Sequence, residues 1–361
     1  MRFPGFEGEW ENKRIGDIGK FFSGGTPSSS RKDFYGGEIP FIRSGEIHSD
    51  KTELFLTQEG YKNSSAKMVE VGDILLALYG ANSGDISISQ MRGAINQAIL
   101  CIRTNVAPVF FKSVWEKHAQ KILNTYLQGG QGNLSADIVK KITISIPSQI
   151  EQAKIAALFS HLDERISIQN KVIEKYESLI KALRHHLFST LESVKEVPVA
   201  DLLSYEQPTK YIVSDTEYSN NTDLTPVLTA NKAFILGYTD EVEGIYDKGP
   251  CIILDDFTLD FKIVEFPFKV KSSAIKILSA KTTVSLRYIF EYLKFLDLNT
   301  EEHKRHYIAE IEPMSIELPE EDTIKSIAFL FDLMDKRRKG LERDQQLLKS
   351  QKDYLLREIF I

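Results

Sequence analysis

Hydrophobic residues recur every seven positions through the middle of the chain. Two series with this spacing, shifted by three residues, are Phe159, Ile166, Ile173, Ile180 and Leu187, and Leu162, Gln169, Tyr176 and Leu183. Neither proline nor glycine interrupts them, and such a seam predicts a coiled-coil helix. Ser148 followed by Glu151 is a capping-box start. A helix over residues 149–188 would be about 60 Å long at roughly 1.5 Å per residue.

The same pattern returns near the end of the chain, at an offset of 172 residues. Residues 142–163 recur at 314–335. The matching pairs include Ile144 and Ile316, Pro147 and Pro319, Phe159 and Phe331, Asp163 and Asp335, and Phe188 and Phe360. The second helix carries Arg338, Gln345 and Lys352 where the first has apolar residues, so it would associate poorly with itself. We therefore predict that the two helices form an antiparallel pair within the chain, with the long polar stems lying along the seam.

Two segments, about 1–146 and 191–318, alternate short apolar strands with turns. Strands are predicted at Glu38–Ile42, Asp73–Leu78 and Ala98–Arg103, followed by a helix at Val109–Tyr126. The second segment repeats this order with Pro226–Thr229, Cys251–Leu254, Ala274–Leu278 and a helix near Ser285–Leu298. We expect Lys112, on the first of these helices, to tolerate substitution.

The predicted fold is therefore α+β, with a pseudo-twofold internal repeat. Two globular α/β domains cover residues 1–148 and 191–319, and two helical regions cover 149–190 and 320–361. The two helical regions form the antiparallel coiled coil that separates the domains.

Composition narrows the class of protein. A hydrophobic fraction of 42% and a charged fraction of 27% are typical of a soluble globular chain, and no apolar run is long enough to predict a membrane span. The N-terminal residues have no signal-peptide pattern. Cys101 and Cys251 lie in apolar stretches, which predicts buried thiols in a reducing cytoplasm.

Net charge is −6 but unevenly distributed. Residues 191–320 carry 13 Lys or Arg against 23 Asp or Glu, whereas the remainder is close to neutral. A surface that binds nucleic acid would therefore have to be a local patch.

Several kinds of catalytic site are missing from the sequence. There is no P-loop motif, no glycine-rich dinucleotide-binding loop and no Pro-Pro phrase of adenine methyltransferases. His303 and His306 have metal-like spacing but no third ligand. We predict no catalytic residue, no metal site and no cofactor in this chain.

Several phrases resemble the DNA specificity subunits of type I restriction–modification systems. They are Arg2–Phe6 (Arg-Phe-Pro-Gly-Phe), Phe22–Ser28 (Phe-Ser-Gly-Gly-Thr-Pro-Ser), Gly37–Ile42, Val71–Leu75, Asn96–Ala98 and Lys304–Tyr307. The resemblance covers essentially the whole chain, although the second domain lacks the Gly-Gly-Thr-Pro phrase.

The resemblance implies a cytoplasmic protein whose two target-recognition domains read the two halves of an interrupted sequence in double-stranded DNA. It also implies two methyltransferase subunits that carry S-adenosylmethionine, and two restriction subunits that act as motor and nuclease and use ATP and Mg²⁺.

Polar residues in the loops are the candidates for contact with DNA. Arg can bond guanine bidentately, and Asn or Gln can bond adenine in the same way. The candidate residues are Arg43, Ser44, Gly45, Tyr79, Asn82, Ser83, Gln97, Gln131, Asn133, Thr229, Asn231, Lys232, Thr258, Arg305, His306 and Tyr307. Such clusters are also ordinary turn sequences, so each residue has a purely structural alternative.

Two other functions remain open at this point. One is a coiled-coil adaptor that reads no DNA, and the other is an enzyme in which a methylase or nuclease is fused to the helices.

Overall fold

The computed structural model describes residues 2–127, 133–229, 234–298 and 306–360. The chain divides into two compact units. Unit 1 comprises Met1–Asn170 and Asp344–Ile361, and unit 2 comprises Lys171–Arg343. Each unit therefore contains one globular segment and a part of each long helix.

The described residues of unit 1 form three small sheets. Its strands are β1 (Glu11–Arg14), β2 (Gly19–Ser23), β3 (Tyr35–Ile42), β4 (Phe55–Leu56), β5 (Lys67–Val69), β6 (Ile74–Ala77), β7 (Ile86–Ile88), β8 (Gly93–Ile95), β9 (Ile99–Thr104) and β10 (Thr143–Ile146). Its helices are α1 (Gln58–Lys62), α2 (Pro108–Leu127), α3 (Ala136–Lys141) and the first part of α4 (Gln149–Ser189). The sheet orders are β2-β9-β6-β7, β4-β3-β8-β5 and β1-β10.

Unit 2 repeats this arrangement. Its strands are β11 (Lys195–Pro198), β12 (Leu203–Glu206), β13 (Thr225–Leu228), β14 (Ile235–Thr239), β15 (Cys251–Asp255), β16 (Phe261–Val264), β17 (Lys269–Val270), β18 (Ile275–Ala280) and β19 (Ser315–Leu318). Its helices are α5 (Val199–Leu202), α6 (Leu286–Phe295) and the first part of α7 (Glu321–Ile359). The sheet orders are β12-β18-β15-β16, β14-β13-β17 and β11-β19.

The two sheet topologies correspond strand by strand. In both units a four-stranded antiparallel sheet has the same order, and one parallel pair, β3 with β8 or β13 with β17, lies in the second sheet. In unit 2, strand β5 is reduced to the single antiparallel bridge between Tyr246 and Phe268, and a π-helical turn at Tyr307–Ile311 takes the place of α3. Helix α1 has no counterpart among the described residues of unit 2. The predicted α+β fold with an internal repeat is confirmed.

The repeated helical residues pair across the two long helices. In unit 1 the ring of Phe159 on α4 stacks on Phe360 at the end of α7, with centroids 5.8 Å apart. In unit 2 Phe331 on α7 stacks on Phe188 at the end of α4, at 6.4 Å. The start of each helix therefore packs against the end of the other, which is the predicted antiparallel arrangement. The two ring pairs are equivalent in the repeat, because Phe331 is the repeat partner of Phe159 and Phe360 is that of Phe188.

An ionic network attaches the globular part of unit 1 to the long helices. Lys112 on α2 lies 2.6 Å from a carboxylate oxygen of Asp163 on α4 and 2.9 Å from Glu116. Lys352 on α7 lies 2.7 Å from both acids. Partial burial alone would raise the pKa of Asp163, but the two lysines lower it. The ammonium group of Lys112 thus holds one corner of this network, and the expectation that its substitution does little stays a prediction.

Unit 2 contains the corresponding network with arginine in place of lysine. Arg287 on α6 lies 3.4 Å from Glu291 and 3.6 Å from Asp335 on α7. Arg184 on α4 lies 2.8 Å from Glu291. Asp335 is the repeat partner of Asp163, so the sequence repeat conserves the anchoring carboxylate.

Both cysteines are fully buried, as the sequence predicted. Burial raises the pKa of the Cys101 thiol to about 12, with the negative charge of Asp73 adding to the effect. Burial raises the pKa of Cys251 to about 12 as well. Neither thiol is therefore set up as a nucleophile. Every helix in the described part of the chain is too short or too polar to cross a bilayer.

Candidate nucleic-acid interface

The turn between β6 and β7 is a rigid polar projection at one edge of unit 1. It carries Asn82, which is exposed, and Ser83, whose hydroxyl donates to the carbonyl of Leu78 at 2.9 Å. Gly84 has a φ of +87°, a conformation that favours glycine. Its carbonyl accepts the indole N–H of buried Trp115 on α2 at 2.8 Å. The turn is therefore fixed to the core while its polar side chains face solvent.

The segment after β3 lies beside this turn. A Cβ placed on Gly45 would be 3.6 Å from the side-chain nitrogen of Asn82. His48 Nε2 lies 2.9 Å from a carboxylate oxygen of Asp85 at the other end of the turn. The two polar segments that the sequence placed far apart therefore form one surface.

A third segment, the loop between β8 and β9, joins the same edge. Gln97 is exposed, and its side-chain oxygen accepts a hydrogen bond from the hydroxyl of Thr26 at 2.6 Å. Thr26 belongs to the Gly-Gly-Thr-Pro phrase. A Cβ on Gly24 would lie 1.7 Å from the carbonyl oxygen of Ile95 in β8, so only glycine allows this close approach. The phrase thus brings Thr26 to Gln97.

Arg43 is already engaged inside unit 1. Its guanidinium lies 2.9 Å from Glu46 and 2.7 Å from Glu53. Partial burial alone would raise the pKa of Glu46, but hydrogen bonds from Arg43 and from main-chain amides lower it to about 2. Arg43 would have to give up these carboxylates to bond a base, so the structure gives it a role in holding the loop after β3.

Unit 2 builds the corresponding edge with the same main-chain bonds. The amide of Leu78 donates to a main-chain carbonyl of the β8–β9 loop at 2.8 Å. The amide of Asp256 donates to a main-chain carbonyl of the β17–β18 loop at 3.1 Å. The amide of Leu134 donates to the carbonyl of Leu78 at 3.1 Å, and the amide of His306 donates to the carbonyl of Asp256 at 3.3 Å. Leu78 and Asp256 are therefore equivalent positions, as are Leu134 and His306.

The candidate residues differ in exposure. Those that are exposed are Gly45, Asn82, Gln97, Asn133 and Thr258, and those that are half-buried are Arg43, Ser44, Tyr79 and Ser83. Four others, Gln131, Asn231, Lys232 and Arg305, lie outside the described residues. Whether any of these residues contacts DNA stays a prediction.

Three candidates in unit 2 are corrected by the structure. Thr229, His306 and Tyr307 are only 6%, 1% and 0% exposed. A side chain that solvent does not reach cannot touch a double helix without rearrangement, so their placement speaks against direct contact with DNA. The polar phrase around His306 looked like a surface loop because its burial depends on Asp256, which is distant in sequence.

Sequence reasoning also missed residues at both edges. Thr26 and His48 belong to the unit 1 edge, and Lys271, Ser272 and Ser273 are exposed in the β17–β18 loop of unit 2. For Lys271, Ser272 and Ser273 the available signal was their position directly after β17, the strand equivalent to β8.

Each edge is therefore a solvent-facing row of polar loops on a rigid antiparallel sheet, and a metal-binding cluster is absent from the residues that the structure describes. Polar loops held in place by strands are an arrangement that binding sites often use.

Comparisons with known proteins show which proteins this chain is similar to. Residues 7–178 match the family model described as type I restriction modification DNA specificity domain. The chain is 43% identical over 132 residues to the specificity subunit of the type I restriction enzyme EcoR124I/EcoR124II of Escherichia coli, covering 35% of this chain and 32% of that protein. It is 28% identical over 201 residues to the MjaIX specificity subunit of Methanocaldococcus jannaschii, covering 52% and 45%. The alignments thus span less than half the length of these relatives.

A solved structure supports the fold over nearly the whole chain. The type I restriction–modification S subunit from M. genitalium superposes with a TM-score of 0.63 at 14% identity, covering 98% of this chain and 96% of that one. Residues 7–178 are thus similar to type I restriction modification DNA specificity domains, and nearly the whole chain has the fold of a solved S subunit. The resemblance seen in the sequence is confirmed.

Proposed function

We propose that this protein is the sequence-reading subunit of a type I restriction–modification complex and binds a bipartite target in double-stranded DNA. The observation that carries the proposal is the pair of equivalent edges. Unit 1 exposes Asn82, Gln97 and Asn133, whereas unit 2 exposes Thr258 and the segment 271–273 at corresponding places. One scaffold with two different sets of polar side chains is suited to reading two different half-sites.

The exposed edges also carry the chemistry that base recognition requires. Amide side chains such as Asn82 and Gln97 donate and accept at once, which matches the adenine edge in the major groove. Gln97 would exchange its bond with Thr26 for a base. Lys271 supplies a positive charge for a phosphate in a segment that is acidic as a whole.

The long helices are proposed to set the distance between the half-sites and to dock two methyltransferase subunits. Apolar side chains remain exposed on α4 at Ile168 and Leu179, and on α7 at Leu333, Leu347 and Tyr354. Leu347 and Tyr354, both in unit 1, are seven residues apart, so they share one helix face. A face of this kind is typical of helix–helix docking to a partner.

Catalysis is proposed to reside in the partner subunits. S-adenosylmethionine would be bound by the methyltransferases, and ATP and Mg²⁺ by two restriction subunits, in the cytoplasm. The buried high-pKa thiols of this chain and the engaged polar residues at its edges support a subunit that reads DNA and performs no chemistry.

Selection from a pool of random DNA duplexes tests the proposal. The tagged full-length chain, purified from its own cells with the subunits that accompany it, should enrich two short sequences separated by a fixed unspecified spacer. An adaptor that reads no DNA would enrich nothing. If the chain alone transferred a methyl group from S-adenosylmethionine, it would be an enzyme and the assignment of catalysis to partners would be wrong.

A further inference from the structure

A buried charged cluster lies beneath the edge of unit 2. Asp256, Lys276 and His306 are 1%, 3% and 1% exposed. One carboxylate oxygen of Asp256 accepts the amides of His306 at 3.1 Å and Tyr307 at 2.9 Å. The other oxygen lies 3.3 Å from the ammonium group of Lys276, which donates to the hydroxyl of Tyr205 at 3.0 Å. Asp256 thus connects a lysine of the sheet to the main chain at 306–307.

Unit 1 has three leucines at the equivalent positions. Leu78 and Leu134 correspond to Asp256 and His306 through the main-chain bonds described above. Leu100 of β9 takes the same register against β6 that Lys276 of β18 takes against β15. The three leucines are at most 1% exposed and belong to one hydrophobic core. The shared topology therefore does not require charge at this place.

Burial of a carboxylate and an ammonium group is costly, and well-packed apolar side chains are often as stable or more stable in their place. The charged cluster must therefore provide something that leucine cannot. A leucine side chain accepts no hydrogen bond, whereas Asp256 fixes two consecutive amides. It does so immediately before the turn that carries Thr258.

We infer that Asp256 is a positioning residue of the unit 2 edge: its carboxylate, oriented by Lys276, holds the chain at His306 and Tyr307 against the β15–β16 turn so that Thr258 and its neighbours present a fixed surface to DNA. This inference rests on the proposed function. Asp256 itself is buried and does not touch the DNA. The unit 1 edge achieves the same order through Trp115, which fixes Gly84 from below.

Two matched variants isolate the acceptor. Asp256→Asn with Lys276→Met removes the ion pair but keeps an oxygen for the two amides. Asp256→Leu with Lys276→Met removes the ion pair and the side-chain acceptor while it keeps the number and branching of the side-chain heavy atoms at position 256. Affinities are measured on three duplexes taken from the wild-type selection: the complete motif, and the motif with either half replaced.

The leucine variant should lose about tenfold in affinity for one half-site, the loss expected of one good base contact, and nothing for the other. The asparagine variant should stay within about twofold of wild type on both. Equal losses on both half-sites, no loss in the leucine variant, or equal behaviour of the two variants would overturn the inference. Wild type that enriches no motif would overturn the proposed function and the inference with it.

Melting temperatures of the same samples separate positioning from folding. If the leucine double variant is unfolded, Asp256→Leu with Lys276→Leu and His306→Leu recreates the leucine trio of unit 1. That triple variant should fold with a melting temperature no lower than wild type and show the same loss at one half-site. A triple variant that also fails to fold shows that the cluster is required for the fold, and the inference is then wrong.

Discussion

Unit 1 and unit 2 agree where they meet the long helices and differ where they face solvent. Both attach their globular helix to α4 and α7 through a network of cations and carboxylates, which includes Asp163 in one unit and Asp335 in the other. Both close the helix pair with stacked phenylalanines. At the opposite edge the equivalent positions are leucines in unit 1 and Asp256, Lys276 and His306 in unit 2.

The difference teaches which positions serve assembly and which serve recognition. The matching residues at the offset of 172, such as Phe159 and Phe331 or Asp163 and Asp335, lie on the long helices, where both units must fit the same two helices. The residue types differ at the positions on and beneath the edges, where the proposed function places two different half-sites. Exchange of the edges should therefore leave the assembly intact.

The largest effect is expected from a domain exchange. Replacing residues 191–318 with the corresponding segment of a relative should change one half of the selected motif and leave the other half unchanged, because each unit has its own core and its own edge. The motif is measured by selection from random duplexes and by mapping of methylated adenines in cells. A change in both halves, or in neither, would contradict the comparison of two independent readers.

A smaller but substantial effect is expected at the ionic networks. Asp163→Asn leaves Lys112 and Lys352 with one carboxylate between them, so unit 1 should lose about 2 to 3 kcal/mol in free energy of unfolding. Urea denaturation at neutral pH measures the loss. Glu164→Gln, which changes an exposed neighbouring acid on α4, is the control and should be nearly neutral. If both substitutions cost the same, the network does not anchor the unit.

Removal of an edge side chain should weaken one half-site only. Gln97→Ala should cost about 1 to 2 kcal/mol of binding free energy on the unit 1 half-site if its amide contacts a base, with no change in melting temperature. Gln58→Ala on α1 changes another exposed glutamine and serves as the control. A uniform loss on every duplex would assign Gln97 to the phosphate backbone instead.

The smallest effect concerns acid stability. Lysines lower the pKa of Asp163, and Lys339 and Arg338 lower that of Asp335, in both cases against the opposing effect of burial. Below about pH 4, these two carboxylates become protonated in the unfolded chain while they are still ionised in the folded protein. Stability is therefore complete above about pH 5 and falls as pH drops toward the lowered pKa values.

The double variant Asp163→Asn with Asp335→Asn should lose less stability than wild type between about pH 5 and pH 3, by about 1 kcal/mol per carboxylate. Urea titrations at each pH provide the measurement. Identical slopes for the two proteins would show that other acids control the acid transition.

The sequence by itself determined the long helices, the repeat and three strands of each globular segment. These features follow from periodicity, which is a local property: the heptads of Phe159 and Leu162 predict α4, and the offset to Phe331 reveals α7. The Gly-Gly-Thr-Pro phrase and the other motifs identified the family. Polar residues in turns, such as Asn82 and Gln97, could be nominated for the edge because strands end beside them.

Only the tertiary structure decided which of these side chains are exposed and which are already engaged with other groups of the protein. Lys112 looked like a solvated helix residue until Asp163 and Lys352 were placed beside it. His306 and Tyr307 looked like loop residues until the carboxylate of Asp256 was seen to hold their amides. Arg43 looked free to bond guanine until Glu46 and Glu53 were found on its guanidinium. Burial and ion pairing of a charged side chain depend on groups brought in from distant parts of the chain, and local sequence carries no record of those partners.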